Sequence, residues 1–213
     1  PILCKVQNEK ARLAKIYRDF IKLTVFIVFP LMTGLAAVSH STIVVLIGEK
    51  WAFAGDLLMY MCFAQMWYPV HAINLNPIQA IGRSDIFLKI EIIKKLIGVA
   101  ILFATVHFGL VVMVIGGIVN SLLCLYVNTY YTDSLINVSL WTQMKDIAPT
   151  FILSMSMFTL IMVFNQFVDN VYVELVGGIC LGAVFYIGCA YLFRFKELQE
   201  LIRIITKQDF NHE

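Results

Sequence analysis

Charge disappears from this chain in five long runs, at 23–48, 57–82, 96–132, 147–168 and 175–193, and every Lys, Arg, Asp and Glu lies between or beyond them. A helix needs about 20 apolar residues to cross a hydrocarbon core roughly 30 Å thick, so four of the runs suit one crossing each. The run at 96–132, taken as one helix, would be about 55 Å long, beyond any tilt a bilayer accommodates. It divides at His107-Phe108-Gly109, and its first part then starts near Leu88 and carries Lys89, Glu91, Lys94 and Lys95 on its inner turns. The pattern predicts an all-α membrane protein with six spans at 22–47, 57–81, 88–107, 110–131, 149–168 and 173–193.

An even number of crossings leaves both ends of the chain on one side. Six crossings also put fifteen of the sixteen Lys and Arg residues on that side, with Lys50 the exception, and the positive-inside rule assigns that side to the cytoplasm. Five crossings would place the basic tail outside.

The segments flanking the spans have a helical period. Leu13, Ile16, Tyr17 and Phe20 recur at i, i+3, i+4 and i+7, and Leu198, Leu201, Ile202 and Ile205 repeat the device in the tail among Glu197, Glu200, Arg203 and Lys207. Both read as helices lying along headgroups. A shorter stripe of Leu140, Met144 and Ile147, beside Trp141, is expected to stop at Pro149. The expected organisation is a cytoplasmic interfacial linker helix at 1–21, a six-helix lobe at 22–193 and a cytoplasmic amphipathic tail at 194–213. The chain begins at Pro1 rather than Met and reads as a piece of something longer.

Composition agrees with a membrane location: 60% of residues are hydrophobic, only 14% are charged, and the mean hydropathy is +0.83. A net charge of +2, placed asymmetrically, gives no case for nucleic acid and makes membrane lipids the expected partners. The five cysteines show no CxxC pair and no companion His cluster, so no metal or cofactor is expected.

No Walker-type loop, HExxH or GxSxG is present, so neither nucleotide-driven chemistry nor a catalytic residue is expected. The second span is the richest in polar side chains, with Gln65, His71, Asn74, Asn76 and Gln79, followed by Arg83. On an unbroken helix Gln65, Asn76, Gln79 and Arg83 share an arc of roughly 60°. Such an arc either lines a polar path for a hydrated substrate or hydrogen-bonds neighbouring helices. At the inner surface Arg83, Asp85, Lys89, Glu91, Lys94 and Lys95 form a mixed-charge mouth, read either as a snorkelling anchor or as a seat for an anionic headgroup. Pro30, Pro69 and Pro77 are hinge candidates, or static bends, whose freed carbonyls need other partners.

Several stretches carry a family likeness: Gln7-Asn8 through Leu23; Phe29-Pro30-Leu31-Met32 with Gly48-Glu49-Lys50-Trp51; Tyr68-Pro69-Val70-His71 through Asn76; Gly82-Arg83-Ser84-Asp85 through Lys94-Lys95; and Lys145 through Pro149. With these the chain resembles the carboxy-terminal half of a Wzx-type polysaccharide or oligosaccharide flippase, in the superfamily of MATE exporters and MurJ-like lipid flippases. The resemblance implies one six-helix lobe of a two-lobe transporter in a bacterial inner membrane, with the amino-terminal lobe as its missing partner. It implies movement of undecaprenyl-diphosphate-linked oligosaccharide from the inner to the outer leaflet by alternating access, for O-antigen or related surface polysaccharide. A MATE-like ion-coupled exporter lobe and a non-transporting assembly subunit are the alternatives.

Overall fold

A computed structural model describes residues 10–80 and 82–209; Gln7-Asn8 and the side chains of Ile205 and Lys207 lie outside it. The described residues form helices α1 (Lys10–Ala37), α2 (Ser39–Ile47), α3 (Ala52–Gln65), α4 (Tyr68–Ala80), α5 (Ser84–Thr105), α6 (Leu110–Ile136), α7 (Leu140–Asn165), α8 (Val171–Leu192) and α9 (Lys196–Asp209). By length and composition, four helical stretches among them can cross a membrane: 12–37 in α1, and α6, α7 and α8. Their outer faces are covered with large apolar side chains, such as Leu122, Leu123, Val176, Ile179, Val184 and Ile187, as expected where lipid rather than water is the solvent.

Two expected spans are broken. The first bends at Val38, where the Ala37 carbonyl accepts instead from Asn165 Nδ2 at 2.9 Å, and the Val38 carbonyl takes Thr42 Oγ1 at 2.7 Å. The second, expected as one helix over 57–81, is α3 followed by α4, with a turn at Met66–Trp67. That turn is sheathed in protein, Met66 being 1% and Trp67 9% exposed, the condition under which irregular backbone is tolerated at membrane depth. Pro69 follows in the first turn of α4, where its missing N–H costs nothing. The division at 107–109 is present: a short 3-10 turn, Val106–Phe108, ends at Gly109, whose φ of +92° suits glycine alone.

The connections expected at 82–87 and 132–148 are shorter than the charge pattern suggests. The expected loop at 132–148 is mostly helix, because α6 runs on to Ile136 and α7 starts at Leu140, leaving Asn137 in the left-handed region and Ser139 capping the Thr142 N–H at 3.3 Å. Pro149 does not stop a helix; α7 passes through it, losing one hydrogen bond. Nor is there a break at residue 21. Leu13, Tyr17, Ile21, Val25 and Phe29 form one continuous buried stripe of α1, while Phe20, expected on the same apolar face, is exposed. α1 packs chiefly on α7, with α3 and α4 beside it, and α6 is the hub for α3, α4 and α5.

Candidate functional site

Pro30 shows how the sequence dictates its own polar partners. Proline at 30 leaves the carbonyl four residues earlier, that of Phe26, without its helical donor, and Tyr186 OH from α8 donates to it at 2.8 Å. α1 therefore continues unbroken through Pro30 and bends instead at Val38.

The densest buried polar assembly lies where α1, α4, α6 and α7 meet. Asn74 Oδ1 accepts from Tyr17 OH at 2.6 Å and from Gln143 Nε2 at 3.2 Å, while Asn74 Nδ2 donates to the Val70 carbonyl at 2.9 Å and to Gln143 Oε1 at 3.3 Å. Thr129 Oγ1 also donates to Gln143 Oε1, at 3.4 Å. Thr132 Oγ1 lies 2.8 Å from the Asn74 carbonyl and 2.9 Å from that of Asn128, which ties α6 to α4 beside Pro77. Toward the start of α6, His71 Nε2 meets Ser121 Oγ at 3.0 Å and His71 Nδ1 lies 3.4 Å from Asn128 Nδ2. Tyr17, Asn74, Asn128, Thr129, Thr132 and Gln143 are all at most 1% exposed. Asn128 Oδ1 is buried there without a hydrogen-bond partner. Amides, hydroxyls and one imidazole supply the donors and acceptors, and their bonds hold the four helices in register.

This arrangement sorts the expected path residues. The arc of Gln65, Asn76, Gln79 and Arg83 presupposed one helix, and the turn at Met66–Trp67 places Gln65, exposed, at the end of α3 while the others belong to or follow α4. Asn76 is half-buried, and Gln79 and Arg83 are exposed; His71 and Asn74, which fell outside that arc, are the two that join the buried assembly. Tyr17 and Gln143 were not anticipated. Gln143 sits among the apolar positions of the 140–147 stripe, which was the available signal, and Tyr17 looked like one more apolar member of its own.

Among the mouth residues, Arg83 grips Asp85 through Nε at 2.9 Å and Nη2 at 2.8 Å, and this guanidinium holds the Asp85 carboxyl down at about 2. Lys94 pairs with Glu91, its i, i+3 neighbour, at 2.5 Å, with both groups half-buried. Lys89 and Lys95 are exposed. A charge cluster not anticipated in the sequence joins α1 to α7: Asp146 accepts from Arg18 Nε at 2.6 Å and Nη2 at 2.9 Å, and Lys22 Nζ lies 3.0 Å from the same carboxylate. Among the described residues no group of His, Cys, Asp and Glu is placed to hold a metal ion.

Fold and site together define a multi-pass helical membrane protein whose buried polar groups join helices. Residues 1–55 match the family described as "Polysaccharide biosynthesis protein", covering the first two of the stretches that carry the flippase likeness. The chain is also similar to an "Uncharacterized membrane protein in cps region" of Klebsiella pneumoniae, 26% identical over 133 residues, which is 60% of this chain and 26% of that protein. The chain thus aligns with about a quarter of the length of that curated relative. No solved structure matches it.

Proposed function

We propose that this chain is a lobe of a carrier that flips undecaprenyl-diphosphate-linked oligosaccharide from the cytoplasmic to the outer leaflet of a bacterial inner membrane. The match of residues 1–55 to a polysaccharide biosynthesis family, in a chain whose long helices turn apolar faces outward, is the observation that carries the reading. In this reading α1–α2, α3–α4, α5, α6, α7 and α8 make six crossings. The two bent or broken members correspond to uncharged runs 23–48 and 57–82, and α5 reaches its inner surface by snorkelling Lys89, Lys94 and Lys95. Both ends then lie in the cytoplasm.

A hydrated glycan needs polar shelter from hydrocarbon. The buried assembly around Asn74 already saturates most of its own groups, so substrate contact falls to accessible positions on the same helix and its end: Asn76, Gln79 and Arg83. The diphosphate then draws on Arg83 and the lysines of α5, or on the remainder of the full-length protein. The carrier makes and breaks no covalent bond.

The test is reconstitution of the full-length protein in liposomes containing a fluorescent undecaprenyl-diphosphate oligosaccharide, followed by an impermeant quencher. The accessible share is expected to rise from the outer-leaflet fraction to nearly all of the probe. The combined changes Gln79→Ala and Arg83→Ala are expected to slow that rise at unchanged membrane abundance. Accessibility that stays at the outer-leaflet fraction with active, correctly inserted protein would overturn the reading.

A further inference from the structure

The uncharged stretches of three helices end around one cavity. Lys22 is the last charge before the apolar part of α1, Asp146 the last before that of α7, and Phe193 the last residue of the uncharged run that fills α8; all three line a cavity of about 290 Å³ together with Lys145, Phe195 and Glu197. The cavity is therefore level with the boundary between headgroups and acyl chains. Its volume falls at the lower end of small-molecule sites, enough for a headgroup and too small for a glycan.

The charges in it are arranged with an unusual asymmetry. Asp146 is shared by Arg18 and Lys22, so that group carries one net positive charge. Lys145 Nζ rests 5.4 Å from the Trp141 ring centroid and pairs with no carboxylate among the described residues. Glu197, in the first turn of α9, lines the same cavity and has no ion pair among the described residues. Two cationic positions and one carboxylate thus face a shared space and do not close on one another. Opposite charges left apart at a partly buried site are satisfied together by a ligand carrying both signs.

We propose that this cavity binds the phosphoethanolamine headgroup of a membrane phospholipid, with the phosphate between Lys22 and Lys145, the ammonium on Glu197, and the glycerol end against Phe193 and Phe195. The arrangement discriminates against phosphatidylglycerol, which leaves Glu197 unanswered, and against phosphatidylcholine, whose methylated amine donates no N–H hydrogen bond to the carboxylate. The bound lipid would fasten the amphipathic α9 and the end of α8 to α1 and α7. The inference stands apart from the transport reading, because it needs neither a glycan nor movement.

The experiment extracts the full-length protein from nanodiscs holding equal phosphatidylethanolamine, phosphatidylglycerol and phosphatidylcholine, and counts retained lipid by native mass spectrometry. One phosphatidylethanolamine per chain is expected, favoured at least about tenfold over either competitor, since a charge-assisted hydrogen bond in a partly dry site is worth that much. Glu197→Gln is expected to erase the preference while leaving phosphatidylglycerol retention intact, and Lys145→Gln to lower retention of all three. Among the described residues neither side chain has an ion-pair partner to lose, and Lys145 gives up only its exposed contact with the Trp141 ring, so thermal unfolding should stay close to that of the parent. Free phosphoethanolamine should displace the lipid where inorganic phosphate at the same concentration does not. Equal retention of the three lipids, a preference that survives Glu197→Gln, or displacement by phosphate alone would overturn the proposal, as would stronger displacement by undecaprenyl diphosphate, which would give the cavity to the transported lipid.

Discussion

Two seams hold these helices together by opposite means. Between α1, α4, α6 and α7 the contact is made by hydrogen bonds, Tyr17 to Asn74 to Gln143 to Thr129. Between the α1–α2 bend, α7 and α8, beside single bonds from Asn165 to the Ala37 carbonyl and from Tyr186 to that of Phe26, it is made by close approach: a Cβ on Gly178 would stand 2.7 Å from Val38 Cγ1 and 3.1 Å from Ile161 Cγ2, and one on Gly182 would stand 2.8 Å from Ile161 Cδ1. Gly178 and Gly182 are four apart on α8, the spacing that lets membrane helices touch. In lipid, apolar side chains gain little by leaving one apolar medium for another, so association falls to fit and to hydrogen bonds. The glycine seam fixes distance, and its atoms tolerate small sliding. The bonded seam fixes register, because an amide shifted by one residue loses its partners. Any rearrangement that separates α4 from α7 must break several named bonds, whereas a shift of α8 repacks the glycine contacts and must also break the bond from Tyr186 OH to the Phe26 carbonyl.

The comparison breaks most sharply at Asn74. Replacement by Leu strands Tyr17 OH and Gln143 Nε2 and leaves Gln143 Oε1 only its bond from Thr129, and is expected to destabilise the detergent-solubilised protein by about 3 kcal/mol, at 1–3 kcal/mol per stranded buried group. Loss of less than about 1 kcal/mol in a reversible unfolding titration would show the bonds to be idle. Gly178→Ala is next, at about 2 kcal/mol from overpacking, with Gly188→Ala as the control because nothing lies within 4 Å of its added Cβ. Equal effects of the two would dissolve the glycine seam. A double-mutant cycle of Asn74→Ala and Gln143→Ala sharpens the contrast further, with a coupling of about 1 kcal/mol expected for the bonded pair and about zero for Asn74→Ala with Gly178→Ala. The smallest effect is at the charged end. Asp146→Asn removes a carboxylate that is only 8% exposed but whose Arg18 partner is 42% exposed and screened, so a loss of about 1 kcal/mol, weakened by salt, is expected in the same titration.

Much of the helix order was legible because a 20-residue absence of charge has one common physical meaning, and because Gly109 supplied the turn that a run of that length required. The bend at Val38 was not legible. No proline or glycine occupies it, and its stability comes from Asn165, distant in sequence, answering the Ala37 carbonyl. At Pro30 the partner of the freed carbonyl was equally hidden, since Tyr186 answers it from α8, 160 residues away. The polar arc on the second span failed for a related reason. A two-residue turn at Met66–Trp67 resets the helical phase, and no local periodicity can anticipate the new one. His71 and Asn74 stood out in the sequence as polar residues in an uncharged run, but their partners Tyr17, Ser121, Asn128 and Gln143 come from three other helices, and only packing brings those together.

The account depends most on six crossings with both ends of the lobe facing the cytoplasm. Single cysteines placed at Lys10, Lys50 and Lys207 in an otherwise cysteine-free full-length protein, labelled in intact cells with an impermeant maleimide, test it directly. The expected result is labelling at 50 alone, with 10 and 207 reacting only after the membrane is opened. Labelling of 207 but not 10 in intact cells would contradict it, and the proposed carrier lobe would fall with the topology.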